Sequence, residues 1–74
     1  MEEKLYQIVN HILIKRKSSP LSSFEHNMSL RNDIGFDSLE LAELTVRLEN
    51  EFNIDIFEDG LVDNIGDVLR RLSN

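Results

Sequence analysis

We expect the chain to enter its central helix within residues 33–41, which read Asp33-Ile34-Gly35-Phe36-Asp37-Ser38-Leu39-Glu40-Leu41. Gly35 can adopt a positive φ at little steric cost, so it permits a sharp bend. Asp37 is a favourable N-cap residue, and Glu40, three residues later, completes a capping box. Ser38 then occupies the first helical position, with its hydroxyl toward solvent. The stretch therefore predicts an exposed serine at a rigid helix start.

Helical periodicity continues on both sides of this stretch. Apolar residues at positions 41, 44, 48 and 52 predict a helix from about Ser38 to Phe52. An apolar stripe at positions 5, 8, 9, 12 and 13 predicts a first helix over residues 2–16. A last helix is expected to begin near Asp63 or Asn64, because both are suitable N-caps before the stripe of Ile65, Val68, Leu69 and Leu72.

Residues 18–36 are predicted to form a long loop. Pro20 and the serines around it exclude a continued helix. Apolar residues recur along the segment and can anchor it to the core, so we expect an ordered loop rather than a flexible linker. These anchors are Leu21, Phe24, Met28, Leu30, Ile34 and Phe36.

Length and composition limit the chain to one small domain, which we expect to cover residues 1–74. There is no cysteine, which excludes disulfides and thiol chemistry. No apolar run is long enough to span a membrane and there is no signal-peptide pattern, so we expect a cytoplasmic protein.

The charge is unevenly distributed. The net charge is −6, and residues 33–67 hold eleven acidic residues and one base, Arg47. Such acidity argues against nucleic-acid binding and favours partners with a basic patch. A surface that only keeps a small protein in solution is the alternative explanation.

The sequence gives little support for catalysis by this chain. A serine nucleophile needs a nearby base and a group that orients the base. The chain has two histidines, His11 and His26, and neither lies near Ser38 in sequence. We therefore expect that the chain is not an enzyme, and that Ser38, if functional, is modified by another protein.

The segment Gly35-Phe36-Asp37-Ser38-Leu39 resembles the G-x-D-S-L signature of acyl carrier proteins. The resemblance continues through Glu43-Leu44, Leu48-Glu49-Asn50-Glu51-Phe52 and Asn53-Ile54-Asp55-Ile56, and the loop residues 28–35 are also similar. It implies that a phosphopantetheinyl transferase attaches 4′-phosphopantetheine to Ser38, and that Asp37 and Leu39 belong to the cofactor site. The arm's thiol would then hold acyl groups as thioesters.

The resemblance also implies an all-α fold, a small four-helix bundle with three main helices and a short third helix within residues 53–63. That short helix is weakly supported, since Phe57 replaces the proline that often begins it and Gly60 interrupts the segment.

By the same resemblance, the helix that begins at Ser38 is the recognition helix. Its partners would be the transferase and acyl-transferring and condensing enzymes with basic patches. Candidate contact residues are Glu40, Ala42, Glu43, Val46, Arg47 and Glu49. Arg47 departs from the family pattern, in which a small or apolar residue is common. Ala42 and Val46 could instead be the edge of the buried stripe, and sequence does not decide between these readings.

Three functions follow as hypotheses. The first is a discrete, monomeric acyl carrier for fatty-acid, polyketide or related biosynthesis. The second is a carrier of aminoacyl or peptidyl groups. The third, from another class, is an acidic helical interaction module that is never modified.

Overall fold

Three α-helices form where the apolar periodicity predicts them: α1 (Glu2–Lys15), α2 (Ser38–Phe52) and α3 (Ile65–Ser73). The structure is a computed structural model that describes residues 1–58, 60 and 62–73. Within those residues no β-strand occurs, and the all-α prediction is confirmed.

The core is built from one cluster of buried aliphatic and aromatic side chains. All three helices contribute to it, as do both connecting segments. Burial of apolar surface is the main source of stability in a domain that lacks disulfides. The buried residues are Leu5, Val9, Ile12, Leu13, Leu30, Ile34, Phe36, Leu41, Leu44, Leu48, Ile56, Val62, Ile65, Val68 and Leu72.

The long loop between α1 and α2 is ordered and its first half is fastened to α1. The Tyr6 hydroxyl donates a hydrogen bond to the Leu21 carbonyl at 2.9 Å. The Leu21 backbone N–H donates to Asn10 Oδ1 at 2.8 Å. The rings of Tyr6 and Phe24 meet edge to face, with centroids 5.0 Å apart. The prediction of an anchored loop is confirmed.

The second half of the loop is bound to the chain just before α3. The Leu30 N–H donates to the Asp63 carbonyl at 2.9 Å, and the Ile65 N–H donates to the Met28 carbonyl at 3.1 Å. These bonds satisfy backbone groups that a buried loop would otherwise leave unpaired. They hold the end of the loop in place immediately before the turn that leads to α2.

The last helix is capped as the sequence predicts. The Asp67 N–H donates to Asn64 Oδ1 at 2.9 Å, and the Asn64 N–H donates to Asp67 Oδ2 at 3.1 Å. Two backbone donors at the helix start are thus satisfied by side chains. Between the two candidates, Asn64 is the N-cap.

The prediction of a short third helix does not hold for the described part of residues 53–63. There the Glu58 N–H donates to the Asp55 carbonyl at 3.2 Å, which closes a turn rather than a helix. Asp55 Oδ1 accepts the Phe57 N–H at 3.0 Å and so competes with helical pairing. Gly60, at φ +129°, then leaves the helical region altogether. Residues 59 and 61, which this prediction also covered, lie outside the described residues.

Candidate functional site

The turn before α2 is held by backbone hydrogen bonds and by two buried side chains. The Ile34 N–H donates to the Ser29 carbonyl at 3.0 Å, and the Phe36 N–H donates to the Leu30 carbonyl at 2.9 Å. Ile34 and Phe36 point into the core. Between them Gly35 takes a φ of +85°, a region that favours glycine. The bend predicted at Gly35 is therefore present and firmly anchored.

A complete capping box starts α2. The Glu40 N–H donates to Asp37 Oδ1 at 2.8 Å, and the Asp37 N–H donates to Glu40 Oε1 at 3.1 Å. Ser38 is the first residue of the helix and is exposed. Its hydroxyl makes no hydrogen bond to any other group in the described part of the chain. The predicted presentation of an exposed serine on a rigid helix start is confirmed.

The same helix start can accommodate an anionic group. The capping box uses the N–H groups of Asp37 and Glu40, whereas those of Ser38 and Leu39 take part in no hydrogen bond with the described residues. Free N–H groups and the helix dipole favour a negative charge at this end of a helix. A phosphate joined to Ser38 Oγ would lie beside these donors, so the residues present fit such a group.

The exposed face of α2 carries apolar side chains next to Ser38. Leu39 is 82% exposed and Val46 is 56% exposed. Ala42, between them on the helix surface, is exposed as well. Ala42 and Val46 therefore lie outside the buried stripe of α2, which consists of Leu41, Leu44 and Leu48.

The two acidic side chains nearest to Ser38 on this helix are ion-paired within the chain. Lys15 Nζ lies 2.9 Å and Arg47 Nε lies 2.8 Å from Glu43 Oε2, and the Glu43 side chain is 24% exposed. Arg16 Nη1 lies 2.6 Å from Glu40 Oε1. Glu43, a predicted contact residue, is therefore paired within the chain, with one cation from α1 and one from α2.

These contacts change the electrostatics of the helix. Hydrogen bonds from Lys15 and then from Arg47 lower the pKa of Glu43 below its ordinary value. The carboxylate is held charged, yet both cations already offset its charge. Glu49, by contrast, is exposed and makes no ion pair with the described residues.

Two further features concern residues 1–58, 60 and 62–73. No cluster of three or more His, Cys, Asp or Glu side chains is arranged to hold a metal ion there. No helix within those residues has the length and apolar character that crossing a membrane requires.

Comparison with known families shows which family the chain belongs to. A family model described as "Phosphopantetheine attachment site" matches residues 4–72, nearly the whole chain. The chain belongs to the phosphopantetheine-attachment family. The cofactor of this family is covalently attached 4′-phosphopantetheine, and the predicted cofactor is confirmed.

A curated relative points to the same family. The chain is 29% identical over 63 residues to "Acyl carrier protein 3" of Ralstonia nicotianae (strain ATCC BAA-1114 / GMI1000). The match covers 82% of this chain and 72% of the relative. No solved structure matches the chain. The predicted resemblance to acyl carrier proteins is confirmed.

Membership of the phosphopantetheine-attachment family implies interaction with a phosphopantetheinyl transferase and with biosynthetic enzymes. Proteins of this family act as carriers and leave the chemistry to those enzymes. Of the predicted site residues, Asp37, Ser38 and Leu39 are brought together at the start of α2 by the fold. The predicted contact residues Ala42, Val46 and the others lie along the same helix.

Sequence reasoning missed the two basic residues that reach the first turns of α2. Lys15 and Arg16 suit the negative end of the α1 dipole, which by itself accounts for basic residues at that position. The feature of the sequence that could have indicated these contacts is the charge imbalance of residues 33–67. A segment with eleven acids and one base requires cations from elsewhere if its acids are to be paired.

Proposed function

We propose that this chain is an acyl carrier protein and that Ser38 is the residue to which 4′-phosphopantetheine is attached. One observation carries the proposal: an exposed serine hydroxyl stands at the first position of α2, on a turn fixed by buried neighbours and a capping box. When bound, the cofactor supplies a thiol that holds an acyl group as a thioester. The chain's own residues present that arm.

The neighbours of Ser38 support this assignment. The unpaired N–H groups of Ser38 and Leu39 and the positive end of the α2 dipole offset the charge of a phosphodiester. Asp37 has a separate task, because its carboxylate accepts the Glu40 N–H and keeps the helix start in place. Asp37 and Leu39 therefore belong to the proposed cofactor site for different reasons.

Activation of Ser38 is assigned to the transferase. No base in the described residues is hydrogen-bonded to the Ser38 hydroxyl. His26 Nε2 lies 2.7 Å from Glu2 Oε1, at the start of α1. Glu40, in the capping box beside Ser38, contacts Arg16, just beyond the other end of α1, so His26 and Ser38 lie near opposite ends of that helix. The transferase would therefore take the serine proton while the Oγ–phosphorus bond forms and the pyrophosphate bond of coenzyme A breaks.

The exposed face of α2 is the proposed docking surface for the transferase and for acyl-transferring and condensing enzymes. Leu39, Ala42 and Val46 supply apolar contact area, and polar groups surround them, as is common at protein interfaces. Glu49 is the exposed acid best placed to meet a basic patch, since Glu40 and Glu43 are paired internally. Arg47 borders the same surface and adds a positive charge that a partner must accommodate.

Acyl groups are the proposed cargo, for fatty-acid, polyketide or related biosynthesis. The name of the Ralstonia relative supports acyl over aminoacyl cargo. We further propose that residues 1–74 act as one carrier domain, which the one buried cluster among the described residues supports, and that this domain is a monomer.

Incubation with coenzyme A and a promiscuous phosphopantetheinyl transferase tests the proposal. Intact mass should increase by one phosphopantetheine group in the wild type and should not change in Ser38→Ala. Ser22→Ala is a matched control, because Ser22 is another exposed serine, in the loop. An unmodified wild type would favour the unmodified interaction module, and a label on another serine would refute the assignment to Ser38.

A further inference from the structure

Arg16, the residue that follows α1, contacts both ends of the bend that precedes Ser38. Its Nη1 donates to the Gly35 carbonyl at 2.9 Å and to Glu40 Oε1 at 2.6 Å. Its Nη2 donates to the Ile34 carbonyl at 3.4 Å. Its guanidinium carbon lies 6.0 Å from the centroid of the Phe36 ring. One side chain just beyond α1 thus contacts the bend and the first turn of α2.

Arg16 also bonds to an atom of the capping box of α2. Glu40 Oε1 accepts both the Arg16 Nη1 donor and the Asp37 N–H, so a single oxygen joins the arginine to the cap. The Arg16 side chain is 32% exposed, and the Glu40 side chain is less so. Hydrogen bonds between charged groups that are partly removed from water are stronger than neutral ones. Arg16 therefore restrains the orientation of the helix start.

The guanidinium is suited to this arrangement in a way that an ammonium is not. It holds several N–H donors in a fixed plane, and these reach a carbonyl on one side and a carboxylate on the other. Its own orientation is also fixed, because Arg16 Nε donates to Ser18 Oγ at 2.8 Å. A lysine at this position could pair with Glu40 but would lack the planar set of donors.

We propose that Arg16 is a positioning residue for the modification of Ser38. It fixes the bend at Gly35 relative to the first turn of α2 and so holds the serine hydroxyl in one geometry for the incoming phosphate. Its guanidinium also lies beside the Glu40 carboxylate, and this positive charge reduces the repulsion between that carboxylate and a phosphate on Ser38. This inference rests on the proposed function of Ser38.

The test compares Arg16→Gln with Arg31→Gln in the full chain. Arg31 is an exposed loop arginine with no hydrogen bond or ion pair to the described residues, so its variant removes the same charge without breaking contacts. With coenzyme A and a transferase, Arg16→Gln should lower kcat by about tenfold, because misplaced reacting groups slow chemistry strongly. KM for the carrier should change little, since Leu39, Ala42 and Val46 remain in place. Arg31→Gln should stay within about twofold of wild type.

Amide hydrogen exchange on the unmodified protein gives a readout that does not require Ser38 to be the attachment site. In Arg16→Gln, exchange at Phe36 and Glu40 should become faster, while the Leu13 and Val68 amides should retain the wild-type rate. Arg16→Lys should recover only part of the lost kcat. A failure of the wild type to be modified would refute the proposed function, and the exchange data would still test the restraint.

Three results would overturn the inference. The first is wild-type kcat and wild-type exchange in Arg16→Gln. The second is faster exchange throughout the molecule, which would show that Arg16 stabilises the fold in general. The third is full recovery of kcat in Arg16→Lys, which would show that charge alone is sufficient.

Discussion

Lys15, the last residue of α1, donates a hydrogen bond from Nζ to Oε2 of Glu43 in α2 at 2.9 Å. Arg47, one turn further along α2, donates from Nε to the same oxygen at 2.8 Å. The two cations lower the pKa of Glu43, with Lys15 making the larger contribution. The pairing fastens the end of α1 to α2 close to the helix start that presents Ser38.

The Lys15–Glu43–Arg47 cluster should make the free energy of unfolding depend on pH. Because the pKa of Glu43 is lower in the folded state than its ordinary value of 4.5, its stabilisation is present above about pH 4.5. It is lost as the pH falls through the lowered folded-state pKa. Urea unfolding between about pH 6 and pH 3 should therefore show a shallower loss of stability in Glu43→Gln than in wild type.

Glu49→Gln is the control for this pH experiment, because it removes the same charge from an exposed position of the same helix. It should follow the wild-type pH dependence. Backbone hydrogen bonds from Asp63 and Asn64 also lower the pKa of Asp67, so part of the acid sensitivity should persist in Glu43→Gln. Identical pH profiles for wild type and Glu43→Gln would show that the cluster does not stabilise the fold.

Gly35→Ala should lower the free energy of unfolding by about 1–2 kcal/mol, because an L residue at positive φ is strained. The new Cβ would lie 3.5 Å from Arg16 Nη2, an ordinary contact, so the cost arises from the backbone. Gly35→Asn should cost less, since asparagine tolerates this region better. Urea unfolding measures both variants, and equal stability of Gly35→Ala and wild type would contradict the predicted strain.

Two leucines of α2 provide a matched pair that tests the orientation of the helix. Leu44 is fully buried, so Leu44→Ala should cost about 2–5 kcal/mol through lost burial and a residual cavity. Leu39 is largely exposed, so Leu39→Ala should change the free energy of unfolding by less than about 0.5 kcal/mol. Chemical unfolding of both variants checks the orientation, and comparable losses would mean that α2 is rotated from the orientation described.

The start of α2 could be predicted from sequence because its determinants are local. Gly35, Asp37 and Glu40 act within six residues, through backbone φ and hydrogen bonds between near neighbours. The end of α2 at Phe52 also agrees with the prediction, which rested on the apolar periodicity of the helix. The short helix expected after α2 was not found in the described residues, because the Asp55 side chain and Gly60 favour a turn.

The ion pairs around the candidate site could not be predicted in this way. Arg16 and Glu40 are separated by 24 residues, and Lys15 and Glu43 by 28, so their contact depends on how α1 packs on α2. Periodicity predicts which face of a helix is buried but does not specify which surface residues of two helices meet. The exposure of Val46 and Ala42 is likewise a result of packing.

Glu49→Lys should slow modification by the transferase mainly through a lower association rate. Glu49 is exposed on α2 and has no ion pair within the described part of the chain, so its charge remains available to a basic partner. Charges at the rim of an interface typically affect the encounter rate and its dependence on salt. The wild-type reaction should weaken as salt rises, and the variant should be less sensitive to salt. Circular dichroism should remain unchanged.

Glu25→Lys is the matched control, because it makes the same charge change in the loop at the opposite end of α1. Its neighbour His26 pairs with Glu2 at the start of α1. Glu40, in the capping box beside Ser38, instead pairs with Arg16, just beyond the other end of α1. If only the net charge of −6 attracts the transferase, both variants should slow the reaction equally. If the α2 face is the docking surface, Glu49→Lys should be slower and Glu25→Lys close to wild type. Equal rates for the two variants would leave the acidity of α2 with no role beyond its contribution to net charge.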